Sequence, residues 1–137
     1  MKKSFLLFIL CVYFIVAGAQ NHWVATWATA SQKVESRNNP PAPGLSNNTL
    51  RQIVHVSIGG NTLRIKFSNL YSPSPVEIRS VYIANPTDSC EVDKSTVKYL
   101  SFGGKRSVTM EANSEVTSDV VDYKLKPLQK LAITISY

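Results

Sequence analysis

The chain holds two histidines, His22 and His55, and two cysteines, Cys11 and Cys90, the side chains best suited to proton transfer or nucleophilic attack near neutral pH. Neither histidine lies near Cys90 in sequence, and neither has an aspartate three residues before it. G-x-S-x-G, H-E-x-x-H, a phosphate-binding glycine loop and a two-cysteine zinc half-site are all missing from the sequence. The nearest imitation of a serine nucleophile is Thr87-Asp88-Ser89. Without a general base and oxyanion donors a serine hydroxyl is a poor nucleophile, so Ser89 is expected to be inert. Glu91 with Asp93, and Asp119 with Asp122, have the spacing of solvated loop charge rather than of an acid/base pair or a calcium loop. The sequence therefore assigns no catalytic residue, no metal ligand and no cofactor.

The elements that would position any site are strands. Thr49 to Leu70 reads as two alternating segments around Gly59, Gly60 and Asn61, the signature of a β-hairpin. A two-residue loop there predicts Ile58 opposite Leu63, Val56 opposite Ile65 and Val54 opposite Phe67, with all six on one buried face. Trp23 to Trp27 reads as a first strand with both indoles in the core. Residues 35–48, with Pro40, Pro41, Pro43 and Gly44, are loop. Val76 to Ala84 changes phase midway, since Val76 and Ile78 take one side while Val81 and Ile83 take the other; a bulge near Ser80 or burial on both faces accounts for that. After the polar loop 85–95, Thr96 to Phe102 is expected to pair with Arg106 to Met110 across Gly103 and Gly104. A turn follows at Ala112 and Asn113, then strands at Val121 to Leu125 and Lys130 to Tyr137. No window of the exported portion shows helical periodicity. The pattern is that of an all-β antiparallel sandwich.

Residues 1–19 read as an export signal: Lys2 and Lys3, an apolar run from Phe5 to Val16, then Ala17, Gly18 and Ala19. That run is shorter than the roughly 20 residues needed to span a bilayer. Cys11 lies inside it, after Leu10, where lipid attachment would need a small residue. Cleavage would leave 20–137 as one domain in the periplasm or outside the cell, with no membrane association, and Cys90 without an internal partner. The 15 basic and 9 acidic residues give +6, and losing Lys2 and Lys3 leaves about +4. That charge is spread along the chain rather than gathered in the stripe that nucleic-acid binding requires. Lys105 with Arg106, and Lys124 with Lys126 and Lys130, read as solvated strand faces and turns.

HWVATWATA, the stretch NNPPAPGLSNNTLRQIVHVSIGGNTLRIKFSN, and LSFGGKRSVTMEANSEVTSD with LKPLQKLAITISY resemble the N-terminal region of secreted bacterial SGNH/GDSL-type hydrolases. The resemblance implies a jelly-roll-like β-sandwich standing before an α/β domain that removes acyl groups, often from carbohydrate esters or lipids. The Gly-Asp-Ser, oxyanion-hole Gly and Asn, and Asp-x-x-His blocks of that family have no counterpart in this chain. It implies a non-catalytic accessory domain whose partner is a hydrolase domain beyond Tyr137, since the last strand ends with its apolar alternation intact. Arg51, His55, Arg64 and Lys66, outward on the expected hairpin, are the candidates for contacting that domain. Two other roles compete with it. A carbohydrate-binding module would stack sugar on Trp23, Trp27, Tyr71 or Tyr82, and a structural or adhesive β-domain would show a closed polar surface.

Overall fold

A computed structural model of the chain describes residues 22–88 and 90–137. The expected signal peptide, Cys11 and Ser89 lie outside these residues. Among the described residues ten strands are formed: β1 (Thr49–His55), β2 (Gly60–Leu63), β3 (Lys66–Ser68), β4 (Val76–Ile78), β5 (Ser80–Ala84), β6 (Lys98–Tyr99), β7 (Val108–Met110), β8 (Glu115–Thr117), β9 (Val121–Leu125) and β10 (Lys130–Ser136). The helical turns among the described residues are two short 3-10 segments, Ser36–Asn38 and Lys94–Thr96.

Every ladder is antiparallel, and the pairs are nested: β1 with β10, β2 with β9, β3 with β8, β4 with β7, β5 with β6. The chain is thus one long hairpin whose tip is the loop 85–97. β5 also pairs with β10, which rolls the hairpin up and gives the sheet order β1-β10-β5-β6. This is the connectivity of a jelly roll. The three short ladders form the layer opposite that sheet. Val54, Val81, Ile83, Leu131, Ile133 and Ile135 from the sheet meet Ile78, Met110, Tyr123 and Leu125 between the layers. Each such side chain contributes roughly 1.5–3 kcal/mol by leaving water, which suffices for a core without a disulfide.

The expected hairpin at 49–70 does not form. Its inward residues are as read, with Val54 and Val56 buried and Leu63, Ile65 and Phe67 packed against the core, whereas Ile58 is exposed. The partners differ: Val54 lies opposite Leu131 and Leu63 opposite Val121. Alternation dictates which face is apolar but is satisfied by any neighbour with matching alternation. At Gly59 the chain leaves one layer for the other, passing so close to β9 that a Cβ there would sit 2.4 Å from the Leu125 carbonyl oxygen. Glycine is required by proximity, not by a turn.

The phase change in 76–84 is present and has the same origin. β4 pairs with β7 in one layer, the amide of Arg79 bonds the Ser136 carbonyl, and β5 continues in the other layer. Gly103 and Gly104 do form a two-residue turn, with φ of 58° and 81° and reciprocal bonds between Phe102 and Lys105. The segments on either side of it, however, pair with β5 and β4 rather than with each other. Between β8 and β9 the ladder carries a bulge: Leu63 faces Val121 while Lys66 faces Thr117, and Ser118 fills the gap by bonding Ile65 through its amide and hydroxyl. The last strand, β10, is central to its sheet, and Ala132 through Ile135 are buried on both faces. The cover that Leu131, Ile133 and Ile135 demand comes from the opposite layer, through Ile78, Met110, Tyr123 and Leu125.

The tryptophan segment is the main departure. Trp23 to Trp27 forms no strand, and the indoles are exposed, at 42% and 45%. Thr26 ties the segment to the crossing at 57–58: its carbonyl accepts from the Ser57 amide and hydroxyl, and its hydroxyl exchanges bonds with Ile58. A few polar bonds hold this strap in place, without a ladder that could turn its side chains inward.

Candidate functional site

The outer face of the four-stranded sheet carries the most organised polar cluster. Register sets Arg51, Thr134 and Tyr82 in one row across β1, β10 and β5. Arg51 donates from Nε to Thr134 Oγ1 at 2.9 Å, from Nη2 to Tyr82 OH at 2.7 Å, and from Nη1 to the Cys90 carbonyl. The Tyr82 ring meets Tyr99 at 5.6 Å, tilted by 57°, and the Arg106 guanidinium lies 4.2 Å over Tyr99. Arg51, Tyr82, Cys90 and Tyr99 line an open groove of about 430 Å³ under the loop 85–97. All of the Arg51 nitrogens are engaged, and Thr134, 1% exposed, is sealed beneath them. The cluster clamps the loop onto the sheet.

A second groove, of about 450 Å³, lies where β9 turns into β10. Lys124 projects outward from β9, Lys126 is the first residue of the turn that follows it, and Lys130 opens β10. The turn between them is fixed by Gln129, whose Oε1 accepts from the Lys126 amide at 2.8 Å and whose Nε2 donates to Asn85 Oδ1 at 2.6 Å. The Tyr123 hydroxyl donates to the same Oδ1 at 2.7 Å. Burial, reinforced by the negative charge of Asp93, raises the Tyr123 pKa and keeps that hydroxyl protonated. Two donors on Oδ1 settle the orientation of the Asn85 amide and leave its nitrogen as the free donor end.

The carboxylates serve the fold. Asp119 accepts from the Gly103 and Gly104 amides, at 3.0 and 2.8 Å, and from the Ser101 hydroxyl at 2.7 Å. The Gly104 amide, then Ser101 and Gly103, hold its pKa below the ordinary aspartate value. Asp93 caps the turn at Lys94–Thr96 by accepting from the Ser95 hydroxyl and amide, which lower its pKa likewise. Neither is placed as a general base, because the donors around each favour the ionised form.

The residues proposed for interdomain contact are not gathered on one hairpin face. Arg51 and His55 sit on β1, where His55 Nε2 donates to the Leu128 carbonyl at 2.6 Å. Arg64 and Lys66 lie in the β2–β3 run of the other layer. The Arg64 guanidinium is 4.4 Å over the Trp23 ring, and Lys66 pairs with Glu115 at 3.1 Å. Of the candidate stacking aromatics, Trp23, Trp27 and Tyr71 are exposed and Tyr82 is half-buried in the Arg51 cluster. Arg64 occupies one face of Trp23. Sequence reasoning passed over the lysine groove, because Lys124, Lys126, Lys130 and Asn85 meet only through the β9–β10 turn and the returning loop. The three lysines, close in sequence, were the available signal, and they read there as solvated strand faces and turns. Compared with known proteins, the chain matches no family model and no curated protein.

Proposed function

We propose that this chain is the non-catalytic accessory β-domain of an exported SGNH/GDSL-type ester hydrolase, whose role is to dock on the catalytic domain and shape its entrance. The sequence resemblance over HWVATWATA and the segments that follow it suggests the family. The observation that carries the accessory role is the use made of the ionisable side chains. Arg51, Asp93 and Asp119 are each engaged in two or three bonds that hold loops, and His55 is bonded to a turn carbonyl. Groups committed in this way build a scaffold and do not turn over substrate.

Two measurements test the reading. The purified chain is expected to leave p-nitrophenyl acetate unhydrolysed above the buffer rate; turnover abolished by Ser89→Ala would overturn the non-catalytic assignment. The reading frame after the Tyr137 codon is expected to encode a Gly-Asp-Ser block within about a hundred codons, as the resemblance implies, and a frame without one would sink the hydrolase association.

The exposure of Trp23 and Trp27 favours a second reading, a carbohydrate-binding module. On that reading Trp23→Ala with Trp27→Ala abolishes retention on insoluble neutral polysaccharide, and equal retention of the variant discards it.

A further inference from the structure

We infer that the groove between the β9–β10 turn and the loop 85–97 is a binding site for an anionic polysaccharide bearing carboxylate groups. The inference stands whether or not the chain serves a hydrolase, and it uses none of the exposed tryptophans.

Three lysines, Lys124, Lys126 and Lys130, contribute to the lining of one open groove of about 450 Å³ together with Asn85 and Gln129, and no acidic residue shares the lining. The ion pairs formed among the described residues, Arg37 with Glu35 and Lys66 with Glu115, lie elsewhere. Three like charges held in one concavity repel one another and concentrate a positive field, which draws in anions and raises their rate of arrival. Two acidic residues of neighbouring elements stay outside the lining: Asp93, whose charge reaches Tyr123, caps the Lys94–Thr96 turn through Ser95, and Asp122 shares the outward face of β9 with Lys124 but stands two residues further from the turn.

The Asn85 amide bears on the class of anion. Asn85 is oriented by Tyr123 and Gln129 so that its nitrogen is the donor end, a group suited to a sugar hydroxyl beside a carboxylate. The groove has no aromatic side chain in its lining, so it offers no platform for the base stacking that single-stranded nucleic acid binding relies on. It is open rather than enclosed, and three lysines contribute to its lining. Those properties suit a chain carrying repeated carboxylates better than one small buried anion.

Affinity electrophoresis of the purified chain in gels containing polygalacturonate, neutral dextran or single-stranded DNA tests the inference. Retardation by polygalacturonate is expected, weakening as salt rises, with neutral dextran without effect. A variant carrying Lys124→Gln, Lys126→Gln and Lys130→Gln is expected to bind polygalacturonate at least about tenfold more weakly. A variant carrying Lys33→Gln, Lys98→Gln and Lys105→Gln has the same net charge and is expected to bind as the parent does. Equal loss in both variants would reduce the effect to net charge and overturn the site. Stronger retardation by DNA would overturn the ligand class, and matching thermal melts exclude misfolding as the cause of either loss.

Discussion

Gly59-Gly60 and Gly103-Gly104 look alike in the sequence, each pair standing between alternating segments, yet the structure uses them oppositely. At Gly103-Gly104 both residues have positive φ and an added Cβ would meet nothing within 4 Å. That pair is needed for backbone conformation, and Asp119 latches it from the β8–β9 bulge. At Gly59 there is no left-handed conformation, but the backbone of β9 is in the way. One pair reverses the chain; the other lets it pass from layer to layer. A glycine pair therefore identifies a hairpin only where conformation, and not clearance, is the reason for it.

Substitutions can separate the two cases. Gly59→Ala is expected to have the largest effect, about 3 kcal/mol by chemical denaturation, because the obstruction is backbone and a proline ring and cannot swing aside. A loss of under about 1 kcal/mol would mean that the crossing relaxes freely. Asp119→Asn unlatches the other pair, and its readout is pH. Folding depresses the Asp119 pKa, so its contribution is present above the unfolded aspartate value near 3.8 and disappears as pH falls through the lower folded value. Thermal melts of the parent are expected to drop steeply below about pH 4 and those of the variant less steeply; parallel curves would remove the latch from the account. Gly104→Ala is expected to cost about 1 kcal/mol, purely from the left-handed backbone, with Gly104→Asn recovering part of it. Gly60→Ala, with its nearest contact at an ordinary 3.5 Å, is expected to stay within about 0.5 kcal/mol of the parent.

The same distinction explains what could be read before the structure was seen. Alternation at Val54, Val56, Leu63, Ile65 and Phe67 was enough to assign their buried face, and the phase change near Ser80 marked the point where the strand changes layers. Pairing was not legible, because Val54 opposite Phe67 and Val54 opposite Leu131 satisfy the same pattern and only the rolled-up topology chooses between them. Trp23 and Trp27 were misplaced because their size argues for burial, whereas a strap tied at Thr26 has no ladder to hold them inward. The lysine groove needed three parts of the chain to converge. The three lysines already stand together in the sequence, flanking a turn in which Leu128 has φ of 58°, but Asn85 lies at one end of the loop 85–97 and nothing in a strand-by-strand reading joins it to them.

The nested pairing also governs the order in which this molecule can assemble. Thr49 meets Ser136, and the outermost ladder is the longest in sequence separation; β5 with β6, beside the tip, is the shortest. Closing the short loop first costs the least chain entropy, so pairing is expected to spread outward from the tip at 85–97 and to finish with β1 against β10. Because β10 is also the strand that joins the sheet together, the sheet cannot close until Lys130–Ser136 is in place. Stopped-flow refolding is accordingly expected in the millisecond-to-second range of non-local β topologies. Until β10 docks, the edge of β5 remains open to strands of other molecules.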